Sequence, residues 1–177
     1  MLNGERLILR PLKIEDLSAT NKWRNTIELT KSTLGIRFPK SLLLDQEWFE
    51  VTLRDKSNRN IYFAIETIQN NDFIGMIQVT NIDWISRTGD FGINIGNVQE
   101  TGKGYGKEAM NLFFNYIFAT INLRKINLKV AVYNQNAISS YDKFGFKKEG
   151  RLEKQIYYDN TYYDVVLMSI FADDFLR

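Results

Sequence analysis

The fold is decided by the stretch Ile93-Asn94-Ile95-Gly96-Asn97-Val98-Gln99-Glu100-Thr101-Gly102-Lys103-Gly104-Tyr105-Gly106-Lys107-Glu108-Ala109, which has the pattern of a strand, a glycine-rich loop and a helix. Apolar residues alternate from Asp90 to Ile95, as in a strand with one buried face. After the loop, apolar residues recur at the spacing of one helical face. Glycine lets the main chain approach a ligand closely, and a helix N-terminus presents free N–H groups. The loop therefore predicts an anion site, most often for phosphate.

Two common phosphate-binding motifs do not fit this loop. A Walker-type loop needs four residues between its glycines, but only three separate Gly102 from Gly106, and Glu108 stands at the hydroxyl position. A dinucleotide fingerprint needs its third glycine where the chain has Lys107. It also needs an acid about 20 residues later, whereas the segment 127–132 contains none. A glycine-rich turn without a ligand remains the alternative to an anion site.

A second motif follows the loop in the chain: Asn134-Gln135-Asn136-Ala137-Ile138-Ser139-Ser140-Tyr141-Asp142-Lys143-Phe144-Gly145-Phe146. It resembles the Asn-x-x-Ala-Ile-x-x-Tyr-x-Lys-x-Gly-Phe segment of the GNAT superfamily, the acyl-CoA-dependent N-acyltransferases. The loop from Thr101 to Gly106 resembles that family's Gln/Arg-x-x-Gly-x-Gly/Ala motif, from which Thr101 departs. The tail, Glu149–Leu152 and Tyr163–Val165, is similar to ribosomal-protein N-acetyltransferases and spermidine acetyltransferases.

The resemblance runs from Arg6 to the C-terminus and implies one N-acetyltransferase domain over residues 1–177. The fold class it implies is α/β (α+β), with a mixed, mostly antiparallel sheet flanked by helices and a splayed strand pair that holds acyl-CoA. Periodicity and turn residues predict an irregular loop over Thr26–Lys40 and a helix over Leu43–Arg54 with Leu44, Trp48 and Val51 on its inner face. The predicted strands are Arg6–Arg10, Tyr62–Thr67, Phe73–Asp83, Asp90–Ile95, Ile126–Val132, Glu153–Tyr158 and Tyr162–Phe171.

The co-substrate implied by the resemblance is acetyl-CoA. In the family, the loop amides hold the pyrophosphate, and the strand before the loop lends its main chain to the pantetheine and the acetyl carbonyl. The coenzyme-binding residues that this predicts are Ile93, Asn94, Ile95, Thr101, Gly102, Lys103, Gly104, Tyr105, Gly106, Lys107, Asn134, Asn136 and Lys143.

Two residues are the predicted catalytic groups. Tyr141 stands where the family places the phenol that protonates the leaving sulfur; an ordinary half-buried helix tyrosine is the alternative. Asp90 stands where related enzymes often carry Glu, and it would deprotonate the amine. Aspartate is unfavourable within a strand, so its presence there requires an explanation. Pairing with Arg87 or another cation at the strand end would explain it as well as a catalytic role would.

The acceptor side follows less directly from the sequence. By resemblance, Trp23, Phe38, Trp48 and Tyr157 would line the acceptor pocket, although aromatic residues at helical spacing more often pack in a core. The acids Glu28, Asp45, Glu47 and Glu50 would attract a polyamine or form a solvated helix face. The predicted reaction is direct transfer of acetyl to a primary amine. A protein N-terminal amine is slightly favoured over a polyamine or an amino sugar. A non-catalytic acyl-CoA-binding module is the alternative.

Composition limits the chemistry. The chain has no histidine and no cysteine, so disulfides, thiolate catalysis and the commonest general base and metal ligand are absent. We therefore expect no metal. A net charge of +2 without a basic block argues against nucleic acid as a partner. No long apolar run and no signal-like start occur, so we expect a cytoplasmic protein without a membrane partner, either a monomer or a homodimer.

Overall fold

The computed structural model describes residues 1–31, 34, 38–97, 100 and 102–176, and its strands form one mixed sheet. The spatial order is β1-β2-β3-β4-β5-β6-β8-β7, and every neighbouring pair is antiparallel except β5 and β6. The predicted mostly antiparallel sheet is therefore confirmed. The strands are β1 (Leu2–Asn3), β2 (Leu7–Arg10), β3 (Ile61–Thr67), β4 (Phe73–Asp83), β5 (Thr88–Ile95), β6 (Lys125–Ala131), β7 (Lys147–Tyr158) and β8 (Thr161–Phe171).

Helices cover both faces of this sheet. A short 3-10 turn, Ile14–Asp16, leads into the first helix, and a π-helical turn, Tyr116–Thr120, extends the fourth. Asn134 and Ser41 cap two helices, since each side chain accepts a hydrogen bond from the backbone N–H three residues later, and Gly145 ends the helix that Asn134 begins, at φ 115°. The α-helices are α1 (Leu17–Arg24), α2 (Ile27–Thr30), α3 (Leu42–Leu53), α4 (Tyr105–Asn115), α5 (Gln135–Phe144) and α6 (Ala172–Phe175).

The sequence missed several short or charged elements. The strand β1 and the helix α6 were not predicted, and α2 lies inside the segment Thr26–Lys40 that was predicted to be irregular. Strand β7 begins at Lys147 rather than Glu153. Its first residues are charged and exposed, so no apolar alternation marks them. Pairing with β8 makes them a strand, and the bulges in this pair interrupt the alternation further.

The predicted face of α3 was wrong at two of its three positions, because only Trp48 packs against the core. Leu44 and Val51 are 52% and 71% exposed, whereas Asp45 and Phe49 are buried. Apolar residues surround this helix, so periodicity does not single out one face. Asp45 is buried because Asn21 and Arg24 of α1 each donate a 2.7 Å hydrogen bond to its carboxylate. Asp45 therefore does not belong to a solvated helix face.

An ionic cluster fixes α1 to the sheet. The Arg10 guanidinium of β2 donates two 2.8 Å hydrogen bonds to Asp16, immediately before α1, and a third to Glu66 of β3. All three side chains are almost completely buried, so their charges require this pairing. The hydrogen bonds that Arg10 donates to Asp16, and then those to Glu66, raise the pKa of Arg10 against the effect of its burial. The cluster thereby sets the position of the helix that carries Trp23 and Arg24.

The parallel strands β5 and β6 separate after a short contact. They are in register only at Thr88, Gly89 and Asp90, which face Lys125, Ile126 and Asn127. Beyond Asp90, β5 continues beside β4 to Ile95, and no strand of the described residues lies along its other edge. This opening is the predicted splayed strand pair, and it lies between the two sequence motifs.

Candidate active site

The glycine loop forms the N-terminal cap of α4. Gly102 and Gly104 have φ of 81° and 86°, a left-handed conformation that other residues rarely adopt. Gly104 is the N-cap residue, and α4 begins at Tyr105. A Cβ atom at Gly106 would meet nothing within 4 Å. The loop therefore presents helix-terminal N–H groups beside open space, as an anion site requires.

Arg6 braces this loop from the start of the chain. Its Nη1 donates a 2.9 Å hydrogen bond to the Lys103 carbonyl, and its Nε donates a 2.8 Å bond to Glu108. The guanidinium also lies 4.9 Å from the ring centre of Tyr105. Burial alone would raise the pKa of Glu108, but the hydrogen bonds from Arg6 outweigh it and lower that pKa. Sequence reasoning missed Arg6 because about a hundred residues separate it from the loop, and no local pattern reports such a contact.

A cavity of about 600 Å³ lies beside the glycine loop. It takes one wall from the end of β5, a second from the start of α4 and a third from α5. The predicted coenzyme-binding residues that line it are Ile93, Asn94, Ile95, Gly102, Gly104, Tyr105, Gly106, Lys107 and Asn134. The loop and the second motif thus meet at one cavity.

Other predicted coenzyme residues lie outside this lining. Thr101 lies outside the described residues. The Lys103 ammonium is 3.0 Å from the Glu100 carboxylate, and only the Lys103 carbonyl takes part in the brace. Asn136 and Lys143 are exposed on α5 and are not among the residues that line the cavity.

A second cavity, of about 420 Å³, opens where β5 and β6 separate. Trp23 and Arg24 of α1, Asp90 of β5 and Lys129 of β6 are among the residues that line it. The two cavities share three lining residues, Ile93, Asn94 and Tyr141. An acyl group at this junction would be accessible from both sides.

Tyr141 lies at that junction, held by aromatic contacts. Its ring packs 6.3 Å from Phe91, edge to face, and 5.6 Å from Phe146. Among the described residues, its hydroxyl has no hydrogen-bond partner. Burial raises the pKa of Tyr141 to about 12, because the phenolate would be poorly solvated there. The phenol therefore stays protonated at neutral pH and has a proton to donate.

Asn134 has a structural role as well as a place in the cavity. Its side-chain oxygen accepts a 3.2 Å hydrogen bond from the Ala137 N–H, which caps α5. Because that bond uses the oxygen, the amide nitrogen is the atom left to donate to a ligand. The cap thus fixes which end of Asn134 faces the predicted coenzyme arm.

Asp90 is not held by an ion pair. The Asn81 amide donates a 3.1 Å hydrogen bond to its carboxylate. Arg87, the partner considered from sequence, instead donates to Asn122 at 3.3 Å. In the described part of the chain, no cation lies within 4 Å of the Asp90 carboxylate. The carboxylate thus faces the 420 Å³ cavity without a neutralising charge.

The predicted acceptor residues are only partly brought together. Trp23 lines the 420 Å³ cavity and packs so closely on Gly96 that a Cβ there would lie 1.9 Å from its ring. Trp48 carries the Arg24 guanidinium 3.9 Å above its ring. Phe38 is 79% exposed, and Tyr157 is half-exposed and donates to Asn160 at the tip of the last hairpin. Neither of these two lines the cavity.

Two charged residues of this cavity were not predicted. Arg24 and Lys129 belong to a helix and a strand that contain no functional motif in the sequence. Only the packing of α1 and β6 around the opening brings these two residues to the cavity.

The described residues contain no group of three or more Asp or Glu side chains that could hold a metal ion. None of the described helices is long and apolar enough to span a membrane.

Comparison with known proteins assigns this geometry to a family. The family described as acetyltransferase (GNAT) domain matches residues 6–147. The chain is 33% identical to the Vibrio cholerae spermidine N(1)-acetyltransferase over 132 residues, 75% of this chain and 74% of that protein. It is 29% identical over 173 residues, 97% of this chain and 93% of the relative, to YokL, an uncharacterized N-acetyltransferase of the SPbeta prophage of Bacillus subtilis. It matches the crystal structure of Vibrio cholerae spermidine N-acetyltransferase in complex with CoA and spermine with a TM-score of 0.90 and 29% identity, covering 98% of this chain and 100% of that one. The chain belongs to the GNAT family of N-acetyltransferases.

Proposed function

We propose that this chain transfers the acetyl group of acetyl-CoA directly to a primary amine. The observation that supports this proposal most directly is that the two cavities meet at Ile93, Asn94 and Tyr141. The larger cavity, beside the helix-terminal loop, would hold the coenzyme, and the smaller one would hold the acceptor. We also infer that residues 1–177 form one catalytic domain, since both cavities are built on one sheet.

The coenzyme would be held mainly by main-chain groups and by Lys107. The pyrophosphate would accept hydrogen bonds from the loop amides of residues 102–107, and the Lys107 ammonium would add a positive charge. The pantetheine arm would run along β5 beyond Asp90, where the strand edge has no partner in β6. Support comes from the 29% identical Vibrio cholerae enzyme, whose crystal structure contains CoA.

The reaction follows from the groups at the junction. An amine has a pKa near 10 and must lose a proton before it can attack. Asp90 would take that proton, directly or through water. The amine nitrogen then bonds to the acetyl carbon, and N–H groups on the free edge of β5 would stabilise the resulting oxyanion. As the carbon–sulfur bond breaks, the Tyr141 hydroxyl would donate its proton to the thiolate. The nitrogen, which is still positively charged after the attack, would lose its second proton to the Tyr141 phenolate, directly or through water, and this restores the phenol. The products are the acetamide and free CoA thiol.

The test is acetyl-CoA-dependent release of thiol across a panel of amines. The protein has no cysteine, so it contributes no thiol background. Turnover with at least one primary amine, with formation of the N-acetyl product, is expected. Acetyl-CoA binding without turnover on any amine would instead indicate the non-catalytic acyl-CoA-binding module. Failure to bind acetyl-CoA would overturn the assignment of the larger cavity.

Arg6→Ala is expected to weaken acetyl-CoA binding about tenfold, because a charge-assisted brace of the loop is lost. The dissociation constant by titration calorimetry measures this effect, and thermal unfolding checks that the fold persists. Arg124→Ala is the matched control, since Arg124 contacts Phe171 and lines neither cavity. Equal affinities for the wild type and Arg6→Ala would show that the brace does not shape the coenzyme site.

The Asp90→Asn variant tests whether Asp90 acts as a general base or only supports the structure. Asparagine keeps an oxygen that can accept from Asn81, so we expect a normal melting temperature. Loss of a general base should lower kcat/KM about 100-fold at pH 7. The deficit should shrink as the pH rises towards 10, because solvent then deprotonates the amine. Asp83→Asn, at the last residue of β4 and away from both cavities, is the control. Unchanged kcat/KM for Asp90→Asn would assign Asp90 to structure alone.

A further inference from the structure

The charges that line the acceptor cavity do not suit a polycation. Among the described residues that line the cavity, there is one carboxylate, Asp90, and there are two cations, Arg24 and Lys129. Asp90 is also the group proposed to receive the proton of the reacting amine, so it is not left to bind a second ammonium. A polyamine would therefore bring further positive charge towards Lys129, and that interaction is repulsive.

Lys129 has a position suited to binding an anion beside the reacting amine. It lies on β6 two residues after Asn127, which is in register with Asp90, so Asp90, Asn127 and Lys129 share one face of the sheet. Its side chain is exposed at the cavity, and no carboxylate of the described residues lies within 4 Å of its ammonium. By contrast, Lys125 on the same strand is 2.7 Å from Glu149.

Arg24 offers a second, fixed cation. One of its terminal nitrogens donates to Asp45 at 2.7 Å, and its plane rests 3.9 Å from the ring centre of Trp48. Within the described residues, its Nε and Nη2 atoms have no hydrogen-bond partner. Asp45 offsets part of the charge of Arg24 but orients the guanidinium, which leaves N–H donors for an oxyanion.

The segment between α1 and α3 keeps its acid away from the acceptor cavity. Glu28 is the one acid in residues 26–40 of the sequence. Leu34 from this segment lines the acceptor cavity, whereas Glu28 lines the coenzyme cavity. The acid of this segment is thus on the coenzyme side.

We propose that the acceptor is a primary amine that carries an oxyanion, either a carboxylate or a phosphate, which Lys129 and Arg24 bind while the amine faces Asp90. This inference rests on the proposed acetyl transfer and names its substrate class. It distinguishes this chain from the 33% identical Vibrio cholerae relative, which is named for spermidine.

The experiment compares matched acceptors in the thiol-release assay at low ionic strength. Alanyl-alanine against alanyl-alanine amide tests the carboxylate, glucosamine 6-phosphate against glucosamine tests the phosphate, and spermidine represents the polycation. We expect the anionic member of at least one pair to have a kcat/KM about tenfold above that of its neutral partner and above that of spermidine. Added salt should reduce this preference.

Variants test whether Lys129 is the cause. Lys129→Ala should lower kcat/KM for the anionic acceptor about tenfold more than for its neutral partner, mainly through KM. Lys129→Glu should raise the rank of spermidine. Lys125→Ala, on the same strand but outside the cavity, is the matched control and should leave the preference unchanged.

The outcomes separate this inference from the proposed function. Turnover of spermidine that exceeds turnover of both anionic acceptors would overturn the anionic substrate class and leave acetyl transfer standing. An equal effect of Lys129→Ala on both members of a pair would remove Lys129 as a specificity-determining residue. Thiol release with none of the amines would overturn the proposed function and this inference with it.

Discussion

Tyr141→Phe is expected to lower kcat about 100-fold while acetyl-CoA affinity changes by less than about threefold. The substitution removes the only proton donor that the side chain has at the junction of the two cavities. The ring contacts with Phe91 and Phe146 remain, so the cavity keeps its shape. Steady-state kinetics and a separate measurement of acetyl-CoA affinity give the two numbers.

The pH profile gives a second readout of Tyr141. Because burial raises its pKa to about 12, the phenol loses its proton only as the pH rises towards that value. We therefore expect no fall in wild-type kcat from Tyr141 between pH 7 and about pH 10. An alkaline fall with a midpoint near the ordinary tyrosine pKa would contradict the buried phenol.

Tyr116→Phe is the matched control for Tyr141. Tyr116 is half-buried, packs 5.7 Å from Phe63 and lines neither cavity. The Tyr116→Phe variant loses the same hydroxyl group at a position outside the site, so its kcat should equal that of the wild type. Unaltered kcat in Tyr141→Phe as well would remove the proposed acid role, and water would have to protonate the leaving thiolate.

Gly104→Val is expected to weaken acetyl-CoA binding at least about 100-fold. Gly104 has φ +86°, and a left-handed conformation costs an L-residue about 1–2 kcal/mol, with more for a β-branched one. A Cβ atom would also lie 3.4 Å from Arg6 Nη2, which is already van der Waals contact, and valine adds two methyl groups beyond this atom. The loop would then no longer present its amides together. Titration calorimetry of acetyl-CoA measures the loss.

Gly106→Ala controls for substitution in the same loop. Gly106 lies within α4, and its Cβ would meet no protein atom within 4 Å, so alanine introduces no strain. The related motif also accepts alanine at this place, and we expect near wild-type affinity. Thermal unfolding of both variants separates a damaged loop from a damaged fold. Wild-type affinity in Gly104→Val would show that the loop does not hold the coenzyme.

Local patterns identified the parts of the site that are contiguous in the chain. The glycine loop and the Asn134–Phe146 segment were found because caps, glycines and apolar spacing act over a few residues. The opposite case is α3, where apolar residues surround the helix and Leu44 and Val51 were wrongly placed inside. The burial of Asp45 depends on Asn21 and Arg24 of another helix, which no spacing within α3 could report.

By itself, the sequence determined the family, the order of the longer strands and helices, and the two motifs that meet at the 600 Å³ cavity. These features depend on backbone geometry and periodicity, which neighbouring residues set. Only the tertiary structure decided that Arg6 braces the loop, that Asp90 faces a cavity without Arg87, and that Arg24 and Lys129 line the 420 Å³ cavity. Those placements depend on strand pairing and helix packing between distant segments.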